Sequence, residues 1–286
     1  MAPVPYTKRM LSRFYTDTRN AVSFCERDRI AYFAARSLQD PDLSLTDGEH
    51  VLLVRRSGSA PLWVCTDHLM DAERLSDLFS TLQCLQEAEV ATDFVAKARA
   101  VRLFSALAGD KLQTRQTLIA CRLHRLCPAE GSGRIGHASK ASEQARSSLL
   151  KLFAEEAGEA VTEAELLAEA RRLRSEPQAL VCFAENGEAA SLAAVRGTDG
   201  EVSLLHSVVT AKAHRGHGYA ALLLTELCRR VQSEGRIPIL YCDADNAEAN
   251  ALYRKLGFIA AERLVRFTLS DGIGTKCKTP EDNLRC

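Results

Sequence analysis

The sequence has no long apolar run, no excess of either charge and no closely paired cysteines. No apolar stretch approaches the roughly 18 residues of a membrane span. The N-terminus, MAPVPYTKRMLSRFYTDTRN, also lacks the uninterrupted apolar core of a secretory signal. Its basic, hydroxyl-rich composition fits an organelle-targeting peptide too, but an ordinary first helix and a cytoplasmic location are the expectation. Lys plus Arg and Asp plus Glu both number 37, so no global field draws the chain to nucleic acid, a membrane surface or a polyanion. Ten cysteines are scattered without a C-x-x-C pair, Cys121 and Cys127 being the closest two. They read as free thiols in a reducing compartment. With seven histidines spread as widely, no ligand cluster for a metal is expected.

What is present is globular. Hydrophobic residues make up 46% and charged residues 26% of 286 residues, enough for two domains with a core each. In the first half, His50 to Arg55 and Leu62 to Asp67 read as strands of a hairpin turning at Ser57-Gly58-Ser59. Helical patterns follow over Asp71 to Gln83 and Thr92 to Leu107, then a strand near Thr117 to Leu123. Gly131 and Gly133 punctuate Pro128 to Arg134, where we place the boundary. The expected division is 1–128, an α/β domain of unnamed chemistry; 134–270; and a mobile tail, 271–286.

The second half is better marked. Ile135 to Ala138 reads as a strand and Ala141 to Ala157 as a helix with Leu149, Leu150 and Phe153 on one side. Thr162 with Glu165 forms a capping-box signature that starts a second helix. Asn186-Gly187 and Asp199-Gly200 turn the chain between three strands, the last being Val202 to Thr210. Helix, strand, helix and strand complete the order, ending near Leu269.

Within this frame HRGHGYA, His214 to Ala220, joins an apolar strand to an apolar helix. Gly216 and Gly218 permit a tight turn, so that N–H groups at the helix N-terminus converge on an anion, with Arg215 adding charge. The segment lacks the G-K-[ST] ending of a Walker loop and the spacing of a dinucleotide fingerprint. Neither a nucleoside triphosphate nor NAD is implied. Downstream, DNAEANALYRKLGF carries Asn246, Tyr253 and Gly257 behind a second apolar run, Ile237 to Cys242.

Together these segments resemble the coenzyme A site of the GNAT N-acetyltransferase superfamily, most closely a bacterial-type two-domain branch. Its V-x-T, R-G-x-G-Y-A and L-Y-x-D-x-x-N motifs are matched here by Val208 to Thr210, Arg215 to Ala220 and Leu240 to Asn246. The resemblance implies a mixed, mostly antiparallel α/β sheet with flanking helices, preceded by a smaller α/β domain compatible with a degenerate copy of the same fold. It also implies transfer of an acetyl group from acetyl-coenzyme A to an amine of a small molecule, peptide or protein, by direct attack in a ternary complex. Arg215, Gly216, His217, Gly218, Tyr219 and Ala220 would hold the pyrophosphate, although His217, like His214, equally suits a solvent-facing loop, as Lys212 does.

Val208, Val209 and Thr210 would lend main-chain groups to pantetheine and to the thioester oxyanion. Tyr253 would protonate the leaving thiolate, and Asn246 would either cap its helix or approach pantetheine. Many relatives place a glutamate base on the strand before the cradle, whereas this chain has Leu204 near that point. His206, two residues on and by strand alternation on the face of Leu204 and Val208, is the candidate base. Asp243 is a weaker one, and Glu201 sits too near the strand start. The missing glutamate also fits a non-catalytic coenzyme A sensor or interaction module. A third alternative is an acyltransferase using another acyl donor.

Overall fold

The computed structural model describes residues 28–270, apart from 37, 39–40, 57–59, 68–69, 132 and 160. The expected first helix, the Ser57-Gly58-Ser59 turn and the tail lie outside the described residues. Contacts divide the chain into two compact units, and neither is one continuous stretch. The first described segment, 28–36, ends in a single helical turn, α1 (Phe33–Arg36), and belongs to the C-terminal unit.

The N-terminal unit starts with β1 (Leu43–Thr46), β2 (Val51–Arg55) and β3 (Leu62–Thr66), an antiparallel meander. Next come α2 (Ala72–Glu87), β4 (Phe94–Lys97) and α3 (Ala98–Ala108). Strand β4 lies parallel to β3, which requires the crossover that α2 supplies. Asp71 starts α2 by accepting the Arg74 N–H. The helical pattern read over Thr92 to Leu107 is thus wrong at its start. Phe94, Val95 and Ala96 are all buried, and a strand covered on both faces shows no alternation by which to tell it from a helix. β1 is likewise not legible as a separate strand.

The C-terminal unit follows the order read from sequence. After β5 (Leu112–Leu123), which enters this unit at Thr117, come β6 (Arg134–His137), α4 (Glu143–Ala157) and α5 (Glu163–Ser175). The capping box of Thr162 and Glu165 is present. Strands β7 (Ala179–Phe183), β8 (Ala189–Asp199) and β9 (Val202–Thr210) are antiparallel neighbours. Then follow α6 (Tyr219–Ser233), β10 (Ile237–Asp243), α7 (Ala247–Leu256) and β11 (Phe258–Leu269). Across the unit the strand order is β5-β10-β9-β8-β7-β6, with β10 and β9 parallel. The Pro128–Arg134 punctuation joins two strands of this same unit, and the chain changes unit inside β5 and inside β11. Beyond Arg263, β11 supplies Leu264–Phe267 as the antiparallel partner of β4 in the N-terminal unit.

Two layers of helix cover the C-terminal sheet. On one face Leu223, Leu224 and Leu227 of α6 pack against Leu180, Leu205 and Leu240. On the other, Leu149 and Leu150 of α4 and Leu166 and Leu173 of α5 pack on Val181, Leu192 and Val209. Arg146 lies in that second layer, 2% exposed. Its guanidinium donates to the carbonyls of Ala170 (2.8 Å), Ala138 (3.0 Å) and Ala141 (2.5 Å), which is how a buried cation is tolerated. Among the described residues no helix is long and apolar enough to cross a membrane.

Candidate functional site

Strands β9 and β10 pair only at Val202–Ile237, Ser203–Pro238 and Leu204–Ile239. Beyond these, β9 stays with β8 as far as Thr210 and β10 stays with β5 as far as Asp243. The centre of the sheet therefore forks after Leu204. Pro238 has no N–H to add to the ladder at the root of that fork.

Two irregularities shape β9 at the fork. Between the pairs Leu192–Val209 and Ala194–His206, β9 has one residue more than β8, and Ser207 there has φ 54°. Between Val195–Leu205 and Gly197–Leu204 the extra residue is Arg196, on β8. Bulges re-aim side chains, and one expectation changes as a result. His206 follows Leu204 on one face, but Val208 packs with the α6 layer and Val209 with the α4–α5 layer. The simple alternation that put His206 and Val208 on one face fails at Ser207. The Ala211 N–H bonds to the Ala190 carbonyl at 2.9 Å and the Ser191 hydroxyl donates to the Val209 carbonyl at 2.8 Å. By strand alternation, the main-chain groups of Val208 and Thr210 then face away from β8.

The glycine segment sits at the end of β9. A 3-10 turn, Lys212–His214, leads through Arg215 to Gly216 at φ 80° and Gly218 at φ 79°. Gly218 is the N-cap of α6 and no side chain caps that end, so the first N–H groups of α6 have no partner within the helix. A Cβ added at Gly216 or Gly218 would meet nothing within 4 Å, so the space beside both is open. Arg215 donates from Nε to the Thr210 carbonyl at 3.3 Å and pairs with Glu156. His217 donates from Nδ1 to the Arg215 carbonyl at 2.9 Å, and its ring stacks on Tyr219. His214 is 3.1 Å from Glu188, whose carboxyl is held below the ordinary range by Asn186 and His214. Tyr219 is buried, Ala220 half-buried and Lys212 exposed.

Asn246 caps α7, accepting the Ala249 N–H at 3.0 Å. Asn250, which sequence reading missed, donates to the carbonyls of Asp243 and Asn246, both at 2.8 Å, and braces the turn from β10. One turn on, Tyr253 is 8% exposed in the cluster formed with α6, beside Leu240 and Cys242. Burial, then the neighbouring Cys242 and Cys121 thiols, push its phenol above the ordinary value. It is held neutral. Helix α7 ends at Gly257, φ 95°, where any Cβ would strike the Arg125 carbonyl. That approach fixes the helix end, and only glycine allows it.

His206 approaches the fork from the other face. Its ring centroid is 5.0 Å from that of Phe153 on α4, and its Nδ1 is 3.0 Å from Ser207 Oγ. Arg196 Nη1 lies 3.4 Å from Nδ1 and 3.5 Å from Nε2. Glu169 of α5 completes the surroundings. Burial raises its carboxyl pKa, but the two-point contact with Arg172 and the charges of Arg196 and His206 outweigh that and hold it low. Sequence reading missed both Arg196 and Glu169, which are brought together by the bulge and by tertiary packing. Leu204 is buried with Phe33, Val202 and Ile239. Glu201 pairs with Arg29 at 2.9 Å, and Asp243 accepts the Asp245 N–H at 2.9 Å. Among the described residues there is no group of three His, Cys, Asp or Glu side chains that could hold a metal.

Residues 146–258 match the family model of the acetyltransferase (GNAT) family. Among solved structures, the chain is similar to a GCN5-related N-acetyltransferase from Sphaerobacter thermophilus. There the TM-score is 0.65 at 16% identity, covering 92% of this chain and 98% of that one. A GCN5-related N-acetyltransferase from Kribbella flavida gives a TM-score of 0.58 at 16% identity, over 88% of this chain and 98% of that one. A tandem GNAT protein from the clavulanic acid biosynthesis pathway gives 0.52 at 15%, over 82% of this chain and 80% of that one. Likeness at such identities concerns the fold alone. No curated protein matches the chain.

Proposed function

We propose, on the premise that this chain belongs to the GNAT superfamily through residues 146–258, that it moves an acetyl group from acetyl-coenzyme A to an amine. Acyl transfer from an acyl-coenzyme A is the family's chemistry; the acetyl donor and the amine acceptor are our reading. One observation carries it: the β9–β10 fork opens beside an uncapped helix N-terminus at Gly218. The unpaired N–H groups of α6 suit a pyrophosphate, favoured by the helix dipole. The main chain of Val208 and Thr210, facing away from β8, suits the pantetheine amides and the thioester oxygen.

In the reaction, the neutral amine attacks the thioester carbonyl to form the C–N bond. A β9 N–H stabilises the oxyanion, a contact typically worth a factor of ~10²–10³ in rate. Collapse breaks the C–S bond, and Tyr253 gives its proton to the departing sulfur. The proton lost by the amine passes to His206 or to water beside it. Tyr253 belongs to the α6–α7 side of the sheet and His206 to the α4–α5 side, so acid and base would act from opposite faces.

Leu204, sealed beneath Phe33 where a strand carboxylate would otherwise stand, favours a second reading: a coenzyme A sensor without turnover. Calorimetry with coenzyme A, run beside thiol release from acetyl-coenzyme A over an amine and peptide panel, separates the two. Binding with thiol release supports the enzyme. Binding without release on any acceptor supports the sensor, and no binding refutes both. Competition by succinyl-coenzyme A tests the donor.

A further inference from the structure

The segment 28–36 lies across the root of the fork. Its Phe33 ring, 1% exposed, packs on Val202 and Leu204 of β9 and on Ile239 of β10, where the strands are still paired. A Cβ on Gly197 of β8 would come within 3.9 Å of the same ring, so Phe33 covers three adjacent strands. Tyr241 lies on β10 past the last pair with β9. Its hydroxyl donates toward the carbonyls of Ile30 (3.0 Å) and Ala31 (3.2 Å) and accepts the Ala34 N–H at 3.3 Å. Both ends of the segment are tied down beside β9, by Arg29 to Glu201 at 2.9 Å and by Arg36 to Asp199 at 3.0 Å.

These contacts grip both arms of the fork. β9 and its turn are held by Phe33 and the two ion pairs, and β10 is held by Ile239 and Tyr241. Two parallel strands with unpaired edges gain by closing on one another, because bare main-chain groups seek partners. An open fork therefore needs packing that fixes the separation of its arms. We infer that segment 28–36 is a staple that sets the opening of the β9–β10 fork, so that its seating and coenzyme A binding are thermodynamically coupled. Phe33 and Tyr241 are positioning residues in this arrangement, and the inference rests on the reading of the fork as the coenzyme A site. Coupling is reciprocal: a seated staple raises affinity, and the bound ligand holds the staple down.

The test uses the full chain with coenzyme A itself. Hydrogen exchange is followed at the amides of 29–36 with and without coenzyme A, and calorimetry gives Kd for wild type, Tyr241→Phe, Phe33→Ala and a control, Leu78→Ala, in the N-terminal core. Exchange in 29–36 should slow on binding. Tyr241→Phe should weaken Kd about fivefold and Phe33→Ala more, toward a hundredfold, the usual range of such couplings, while Leu78→Ala leaves Kd unchanged. Wild-type affinity in a folded Tyr241→Phe, or exchange that ignores the ligand, would overturn the staple and leave the coenzyme A site standing. A folded wild type that binds no coenzyme A would overturn that site, and the staple with it. If Phe33→Ala fails to fold, Tyr241→Phe and the wild-type exchange experiment still decide.

Discussion

Removing a single oxygen atom in Tyr253→Phe should slow turnover while leaving the stability of the fold nearly unchanged. The phenol is 8% exposed and its ring meets Phe258 at 6.0 Å between centroids. Phenylalanine keeps that ring packing and removes only the hydroxyl, whose exchange of partners on folding is worth about 0.5–1.5 kcal/mol. The phenylalanine variant should thus stay within about 1 kcal/mol of the wild type in unfolding free energy. The effect on chemistry is larger: a positioned general acid contributes roughly 10²–10⁴ in rate. kcat should fall at least about a hundredfold, near 2.7 kcal/mol of barrier, with Kd for coenzyme A within a factor of about three. Because burial keeps the phenol protonated well above neutrality, the deficit should be the same at pH 7 and pH 9. Urea unfolding, calorimetry and thiol release on the same preparation give all three quantities. An unchanged kcat, or a loss of activity that tracks a loss of stability or of donor affinity, would remove Tyr253 as the acid.

Gly218→Glu should abolish coenzyme A binding, because it forces an L side chain to φ 79° and sets a negative charge in the mouth of the proposed anion cradle; unchanged calorimetric affinity would sink the assignment. His206→Ala should lower kcat and shift the pH–rate profile without changing Kd for coenzyme A, and an unaltered profile means the base lies elsewhere. Arg146→Met should destabilise the chain by about 3 kcal/mol, since it leaves the carbonyls of Ala138, Ala141 and Ala170 without their buried donor. A change in unfolding free energy below about 1 kcal/mol would show that those carbonyls find other donors.

The second half of the fold was legible because its helices are amphipathic and its turns are written in Asn186-Gly187, Asp199-Gly200 and the Thr162–Glu165 box, all local signals. The turn proposed as the cradle was legible for a similar reason: left-handed turns at Gly216 and Gly218 need glycine. What stayed hidden depends on partners distant in sequence. β4 is apolar on both sides and has no period to read. Ser207 takes its positive φ without a glycine or asparagine to announce it, so the bulge that moves Val208 off the face of His206 left no trace. Arg196 and Glu169 reach His206 through that bulge and through helix packing, and Phe33 reaches Leu204 from the far end of the chain. Tyr241 stood inside a motif already noticed, yet its role appears only once segment 28–36 is seen against it.

The return of β11 to the N-terminal unit has a consequence for how the protein is made. Ala96 of β4 pairs with Val265, so when a ribosome has released β4, that strand's partner is still almost the whole C-terminal unit away from being synthesised. Until then the edge of β4, with Phe94, Val95 and Ala96 that end up buried, stays open to pairing with other chains. The N-terminal unit starts before the C-terminal unit and is completed after it.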